Sequence, residues 1–261
     1  MIPPALVFPA LILAFWDAWR LMVARLGSDV GDWQLAAMIA LVAAATGWRL
    51  RRSRLHVVDA FPLCTILATY TVAAATGWAL PQMAAAVAGL GWAGWSSVKR
   101  GALPAPMIGI LLLMLPLFPS LEFYLAYPMR RICAGLTAMM LRLNGVEVTV
   151  KGIALDWDGT LLLFDAACSG LRMLWSALLL VSAIALAGRF SLLRYGSAII
   201  VALVATILGN ALRAASLFYV ENGFTPTFAG PAAHETVGIA AFAILATGTA
   251  WLVAPREWRR A

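Results

Sequence analysis

Cys168 lies where a polar, strand-like stretch meets a long apolar segment, in the sequence Asp-Ala-Ala-Cys-Ser-Gly-Leu-Arg at residues 165–172. A thiol in the first turn of a helix feels the positive end of the helix dipole, which favours the nucleophilic thiolate. Arg213 is near the end of the next apolar segment, and His234 is near the start of the one after that. If these helices alternate in direction, all three residues lie at one depth, on one side of a membrane.

Cysteine, histidine and arginine are a sufficient set for acyl transfer or peptide cleavage. The thiolate attacks a carbonyl carbon, a histidine moves the proton to the leaving amine, and an arginine stabilises the oxyanion. Asn210 precedes Arg213 by one helical turn, so the two share a helix face and Asn210 could orient the arginine or the substrate. Ser169 and Arg172 are the polar residues that follow the thiol, and we include them as candidate supporting residues.

Each of these residues also has an ordinary structural explanation. A lone cysteine in a membrane helix is more often a packing residue than a nucleophile, which is our interpretation of Cys64 and Cys133. Arg213 could extend to the lipid head groups, and His234 could be a polar residue at a helix N-terminus. A disulfide between Cys133 and Cys168 is a further alternative in an oxidising compartment. Only the joint placement of the three residues at one depth favours a catalytic site.

The composition predicts an integral membrane protein. Of the 261 residues, 63% are hydrophobic and 12% charged, whereas soluble domains are nearer half apolar and a quarter charged. The net charge of +7 does not indicate nucleic-acid binding, because the basic residues fall in short clusters between apolar segments. That distribution is typical of cytoplasmic loops.

The apolar segments predict an all-α polytopic fold with about eight transmembrane helices. They lie at residues 4–26, 33–48, 57–80, 83–98, 105–121, 168–187, 195–217 and 235–254. Residues 123–143 are apolar enough for a ninth span, but Arg130 and Arg131 lie in their middle, where buried charge is costly. We predict an amphipathic helix at the outer interface there, and a spanning helix stays the alternative.

Residues 144–164 differ in kind from the apolar segments. Residues 146–151 alternate like a strand, residues 156–159 (Asp-Trp-Asp-Gly) are typical of a turn, and residues 160–164 are a second β-prone stretch. These features predict a small extracytoplasmic β-hairpin before Cys168. The sequence at 153–160 is also similar to the aspartate signature of haloacid dehalogenase phosphatases, but the later lysine that such enzymes need is missing.

The basic clusters predict the orientation of the chain. If the cluster at residues 49–54 is inside, both termini are cytoplasmic and most of the 19 lysine and arginine residues face the cytoplasm. Cys168, Arg213 and His234 then lie at the outer face. The two histidines, His56 and His234, fall on opposite faces, so we expect no metal site and no cofactor.

The motifs of the second half resemble the exosortase/archaeosortase family. They are the Ala-Cys-Ser-Gly sequence around Cys168, the Asn-Ala-Leu-Arg sequence that ends at Arg213, and His234 with Gly238 four residues later. The Asn-Gly-Val sequence and the polar hairpin that precede the cysteine are similar too. One departure is Asp165, where many members carry another residue.

The resemblance implies a single membrane domain with three parts. An exosortase-like catalytic core at residues 105–254 would follow variable N-terminal helices at 1–104 and precede a basic cytoplasmic tail at 255–261. The expected location is a bacterial inner membrane, with the active site at its periplasmic face.

The resemblance also implies a cysteine endopeptidase or transpeptidase. Cys168 would be the nucleophile, His234 the general acid and base, and Arg213 the stabiliser of the oxyanion. The expected partners are the lipid bilayer and exported proteins with a C-terminal sorting tail of the PEP-CTERM kind: a proline-containing motif, a transmembrane helix and a basic cluster. The acyl group would pass from the enzyme to water or to an unknown acceptor.

Two other functions stay open at the level of sequence. A non-enzymatic transporter or assembly factor would place ionisable residues in the bundle interior, for which Asp17, Arg20 and Asp59 are the candidates. A different membrane protease or an acyltransferase could use the same thiol.

Overall fold

The computed structural model describes residues 3–26, 56–98, 102–164, 166–222, 231–255 and 257–258. The chain divides into two units, Met1–Leu117 and Phe118–Ala261. Both are mainly helical, and a small sheet belongs to the second. The predicted span at residues 33–48 lies outside the described residues.

The described part of the first unit contains five helices, one of which is central. They are α1 (Pro4–Ala14), α2 (Trp16–Leu26), α3 (Ala60–Ala75), α4 (Ala79–Val98) and α5 (Ala105–Leu113). Helix α4 packs against the other four. A Cβ atom at Gly89 of α4 would lie 2.7 Å from Cε2 of Phe15. The missing side chain at Gly89 therefore leaves room for the fully buried Phe15 ring.

Helix α3 is shorter than the predicted span at 57–80. At its start, the carboxylate of Asp59 accepts a hydrogen bond from the Phe61 N–H (3.2 Å), which is the geometry of an N-cap. At its end, Gly77 has a φ of 73°, the left-handed conformation that often terminates a helix.

Two other predicted spans are interrupted. Residues 4–26 form α1 and α2, which are bent by 65° at Phe15. Helix α5 ends at Leu113 instead of continuing to residue 121. The sequence contains a reason for this second break, because Pro116 has no N–H and disfavours a helical conformation of the residue before it.

The second unit is organised around its longest helix. Its described elements include α6 (Phe118–Leu143), α7 (Leu171–Ala187), α8 (Leu192–Glu221) and α9 (Pro231–Val253). Helix α8 packs against α6, α7 and α9, and its 30 residues extend over about 45 Å. Helix α6 contains the whole segment predicted as an interfacial helix and begins earlier, at Phe118. Its position relative to a membrane stays a prediction.

The residues that were predicted to form a β-hairpin form a three-stranded antiparallel sheet. Its strands, β1 (Thr149–Lys151), β2 (Ala154–Trp157) and β3 (Thr160–Leu163), are adjacent in chain order. The prediction of two strands was wrong because Ala154–Trp157 is the central strand, and only Asp158 and Gly159 form the turn after it. Both turn residues have a positive φ, which a two-residue type I′ turn requires.

The sheet packs on helices α6 and α8 through one hydrophobic cluster. Its buried members are Cys133, Ala134, Ala138, Leu141, Val148, Leu155, Phe164, Ala211, Ala215 and Phe218. The Trp157 ring of β2 meets Phe218 of α8 edge to face, with 5.1 Å between the ring centroids. This cluster determines where the chain leaves β3 and approaches α7.

The number of membrane spans, predicted as about eight, is not confirmed. Among the described residues, α8 and the Glu235–Val253 part of α9 are long and apolar enough to cross a membrane. The count rises to four if each of two bent helix pairs forms one span. Helices α3 and α7 are apolar but shorter.

Candidate active site

Cys168 lies in the 3-10 turn Ala166–Ser169, between strand β3 and helix α7. The prediction that it occupies the first turn of the long helix was wrong, because α7 begins at Leu171. Gly170 has a left-handed φ of 72°, which a right-handed helix does not contain, so it separates the thiol from the helix. The dipole of α7 therefore acts on Cys168 more weakly than the sequence suggested.

The two candidate supporting residues beside the thiol lie in different surroundings. Ser169 is buried, and its side-chain oxygen accepts a hydrogen bond from the Leu171 N–H (3.4 Å). Ser169 thus helps to begin α7 directly after the Cys168 turn. Arg172 is the second residue of α7 and is exposed; a role for it in substrate binding stays a prediction.

Asn210 of α8 ties the Cys168 turn to the centre of the second unit. Its side chain is only 2% exposed, and its Nδ2 donates to the carbonyl oxygen of Cys168 (2.7 Å) and to the sulfur of Cys133 (3.2 Å). A Cβ atom at Gly170 would lie 3.0 Å from Cγ and Nδ2 of Asn210. Only glycine therefore combines the left-handed conformation with this close approach.

Cys133 belongs to this arrangement, although the sequence suggested only a packing role. It is 3% exposed on α6 and accepts the second hydrogen bond of Asn210. One turn further along α6, the Thr137 hydroxyl donates to the carbonyl oxygen of Ala211 (3.3 Å). Cys133 and Thr137 are four residues apart, and this spacing could have predicted that they lie on the same face of α6. Neither Cys133 nor Cys168 forms a disulfide.

A second side chain holds the segment before Cys168. Nη1 of Arg130, on α6, donates to the carbonyl oxygen of Phe164, at the end of β3 (3.4 Å). In the sequence prediction, Arg130 and Arg131 were only charges that disfavour a membrane span. In the structure Arg130 is half-buried and Arg131 exposed, so only Arg130 has the position of a structural support. The segment from Phe164 to Cys168 is thus anchored at both ends.

Arg213 follows Asn210 by one turn of α8 and is half-buried. Its guanidinium packs against α9 at Gly238, where a Cβ atom would lie 3.4 Å from Nε and 3.9 Å from Nη2. Arg213 is therefore on the side of α8 that faces α9.

His234 is in the first part of α9, four residues before Gly238. Residues four apart share a face of a helix, so the backbone of His234 lies one turn from the glycine that contacts Arg213. The side chain of His234 lies outside the described part of the structure. Its contact with Cys168 or Arg213 stays a prediction.

These positions supply a thiol on a restrained turn and a guanidinium one helical turn from the residue that restrains it. In general a thiol can act as a nucleophile and a guanidinium can stabilise negative charge. Within the described ranges, no group of three or more His, Cys, Asp or Glu side chains could hold a metal ion.

The apolar helices and the restrained cysteine turn define an integral membrane protein with a candidate thiol site. Over residues 4–251 the chain matches the family model described as transmembrane exosortase (Exosortase_EpsH). The chain therefore belongs to the transmembrane exosortase family. No curated protein and no solved structure matches it.

Replacing Gly170 by alanine should destabilise the cysteine turn. A non-glycine residue in the left-handed region costs about 2 kcal/mol, and the new Cβ would also displace Asn210. We expect the thermal midpoint of the detergent-solubilised protein to fall by roughly 5 °C. Gly135→Ala is the matched control, because a Cβ atom there meets nothing within 4 Å. Equal midpoints for the two variants would contradict the restraint described at Gly170.

Proposed function

We propose that this protein is a cysteine endopeptidase or transpeptidase that cleaves C-terminal sorting signals of exported proteins through an acyl-enzyme on Cys168. The observation that best supports this is the pair of contacts made by one turn of α8. Asn210 binds the carbonyl oxygen of Cys168, and Arg213 packs beside Gly238, one turn from His234 on α9. Membership in the exosortase family supports the same chemistry.

In the first half-reaction the sulfur of Cys168 attacks the carbonyl carbon of the scissile peptide bond. A carbon–sulfur bond forms, and the carbonyl oxygen takes the negative charge, which Arg213 stabilises. The carbon–nitrogen bond then breaks, and His234 gives the leaving amine the proton that it took from the thiol. The exported protein stays attached as a thioester, and the C-terminal fragment with its membrane helix leaves.

In the second half-reaction an acceptor attacks the thioester carbon. His234 takes a proton from the acceptor, the carbon–sulfur bond breaks, and His234 passes that proton to the sulfur, which restores the Cys168 thiol. Water as the acceptor gives a free carboxylate, whereas an amine gives a new amide. The same residues therefore serve hydrolysis and transpeptidation.

A membrane location suits this class of substrate. We place the protein in a bacterial inner membrane, with several spans, both termini in the cytoplasm and the active site at the periplasmic face. The basic clusters between the apolar segments support this orientation. A substrate of the PEP-CTERM kind would dock its membrane helix beside the bundle and present its proline-containing motif to Cys168.

The ionisable residues that a transporter would use have structural explanations. Asp59 is the N-cap of α3. Asp17 and Arg20 form an ion pair on α2 at 3.5 Å, with side chains that are 62% and 70% exposed. Neither arrangement favours transport over peptide cleavage.

Cys168→Ala should abolish processing of a co-expressed reporter that carries a sorting tail from the same genome. Loss of the nucleophile removes the acyl-enzyme route, so we expect the rate to fall at least about 1,000-fold. The measurement is the size shift of the reporter on immunoblots. Cys64→Ala is the control, because Cys64 is exposed on α3, a helix of the other unit. Persistent processing by Cys168→Ala would exclude Cys168 as the nucleophile.

Arg213→Lys keeps the positive charge but loses the planar guanidinium, which is suited to an oxyanion. We expect processing of the same reporter to fall about 100-fold or more. Arg194→Lys, at the opposite end of α8, should keep the wild-type rate. Near-normal processing by Arg213→Lys would instead favour a role in which Arg213 only extends to lipid head groups.

The proposed orientation predicts which side of the membrane Cys168 and position 193 face. A membrane-impermeant maleimide should label Cys168 in intact spheroplasts. In a Cys168→Ala background, Leu193→Cys supplies a cysteine at an exposed site near the predicted cytoplasmic loop, and it should react only after permeabilisation. The reverse pattern of labelling would overturn the orientation.

A further inference from the structure

Strand β3 has an open edge beside the Cys168 turn. The order of the sheet is β1-β2-β3, so β3 pairs with β2 on one side only. Helix α6 packs against β1 and β2, and no strand among the described residues pairs with the outer side of β3. An edge of this kind presents backbone N–H and C=O groups to any chain that approaches in an extended conformation.

The register identifies the residues that present these groups. The Phe164 N–H donates to the carbonyl oxygen of Ile153 (3.0 Å), so these two residues form a hydrogen-bonded pair of the antiparallel ladder. Hydrogen-bonded and non-hydrogen-bonded pairs alternate along such a ladder. Leu161 and Leu163, paired with Asp156 and Ala154, therefore direct their N–H and C=O groups away from β2, toward the open edge.

The side chains of the same two residues are also accessible. Leu161 is 61% exposed and Leu163 is 69% exposed, whereas Leu162 between them packs against the core cluster. Exposed leucines on one face of an edge strand offer apolar contacts to alternate side chains of a bound peptide. A lipid chain could cover the leucines, but it could not bond to the backbone groups.

Strand β3 is also directly connected to the candidate nucleophile. Leu163 precedes Cys168 by five residues, which at full extension span at most about 18 Å. The connecting segment is held by Arg130 at Phe164 and by Asn210 at Cys168. A peptide paired with β3 would therefore lie at a restrained distance from the sulfur.

We propose that the open edge of β3 binds the extended sorting motif of the substrate as a fourth strand and delivers it to Cys168. This inference rests on the proposed function and adds the means by which the substrate is recognised. Backbone pairing would supply affinity for many sequences, and Leu161 and Leu163 would select alternate side chains. Proline would be accepted only at tail positions whose N–H faces away from β3, because it cannot donate to a ladder.

Leu161→Pro tests the backbone contact. Proline removes the outward N–H and leaves the bonds between β2 and β3 intact, as it does on natural edge strands. With purified protein and the tail-bearing reporter, we expect kcat/KM to fall on the order of tenfold, mainly through KM. Leu161→Thr keeps the N–H and should lower kcat/KM less than the proline variant.

Val150→Pro is the matched control at the opposite edge of the same sheet. Because Lys151 and Ala154 flank the two-residue turn and pair with each other, the alternation directs the Val150 N–H outward from β1. Val150→Pro should have the same KM as the wild-type protein, and its thermal midpoint should equal that of Leu161→Pro. An equal rise in KM for the two proline variants, or none for Leu161→Pro, would overturn the assignment of β3.

A second measurement does not depend on cleavage. A photoreactive amino acid is placed at successive positions of the reporter tail, and adducts with the Cys168→Ala protein are mapped by mass spectrometry. Strand addition predicts adducts with Leu161 and Leu163 from every second tail position. Adducts that avoid β3, or that show no such alternation, would overturn docking at β3. If the wild-type protein still cleaved the reporter in that case, the proposed function would remain intact. Alternating adducts without cleavage by the wild-type protein would support docking and refute the proposed function.

Discussion

The side-chain amide of Asn210 is the contact on which the candidate site depends. One nitrogen atom donates to the carbonyl oxygen of Cys168 and to the sulfur of Cys133, so a single buried group joins the cysteine turn, α6 and α8. Hydrogen bonds in a buried, low-dielectric setting are strong, and a lost partner is costly there. The position of the Cys168 backbone is therefore coupled to α8, the helix that also carries Arg213.

The small sheet explains how the chain reaches that contact. Its inner face is held on α6 and α8 by the hydrophobic cluster that includes Leu155 and Phe218. Arg130 then bonds the end of β3, and Gly170 supplies both the reversal of φ and the space for Asn210. A thiol on a turn restrained in this way has little conformational entropy left to lose.

Sequence reasoning predicted the class of protein and much of the helical content. The apolar segments at 83–98, 195–217 and 235–254 all correspond to helices, because hydrophobic composition over many residues is a strong signal. It failed where a single residue, or pairing with another segment, decides the backbone conformation. Pro116 ended α5 early, and residues 154–157 formed a strand because they could pair on both sides with β1 and β3.

The candidate site was likewise only partly predictable from the sequence. The sequence by itself determined that Cys168, Arg213 and His234 lie near the ends of apolar segments, and its motifs were enough to indicate the exosortase family. Only the tertiary structure decided that Asn210 contacts Cys168, and that Cys133 shares this contact. The physical reason is that periodicity defines the face of a helix, whereas a hydrogen bond requires the rotation and spacing of packed helices to be correct within a few tenths of an ångström. Those quantities arise from close packing between distant segments, which no local pattern in the sequence records.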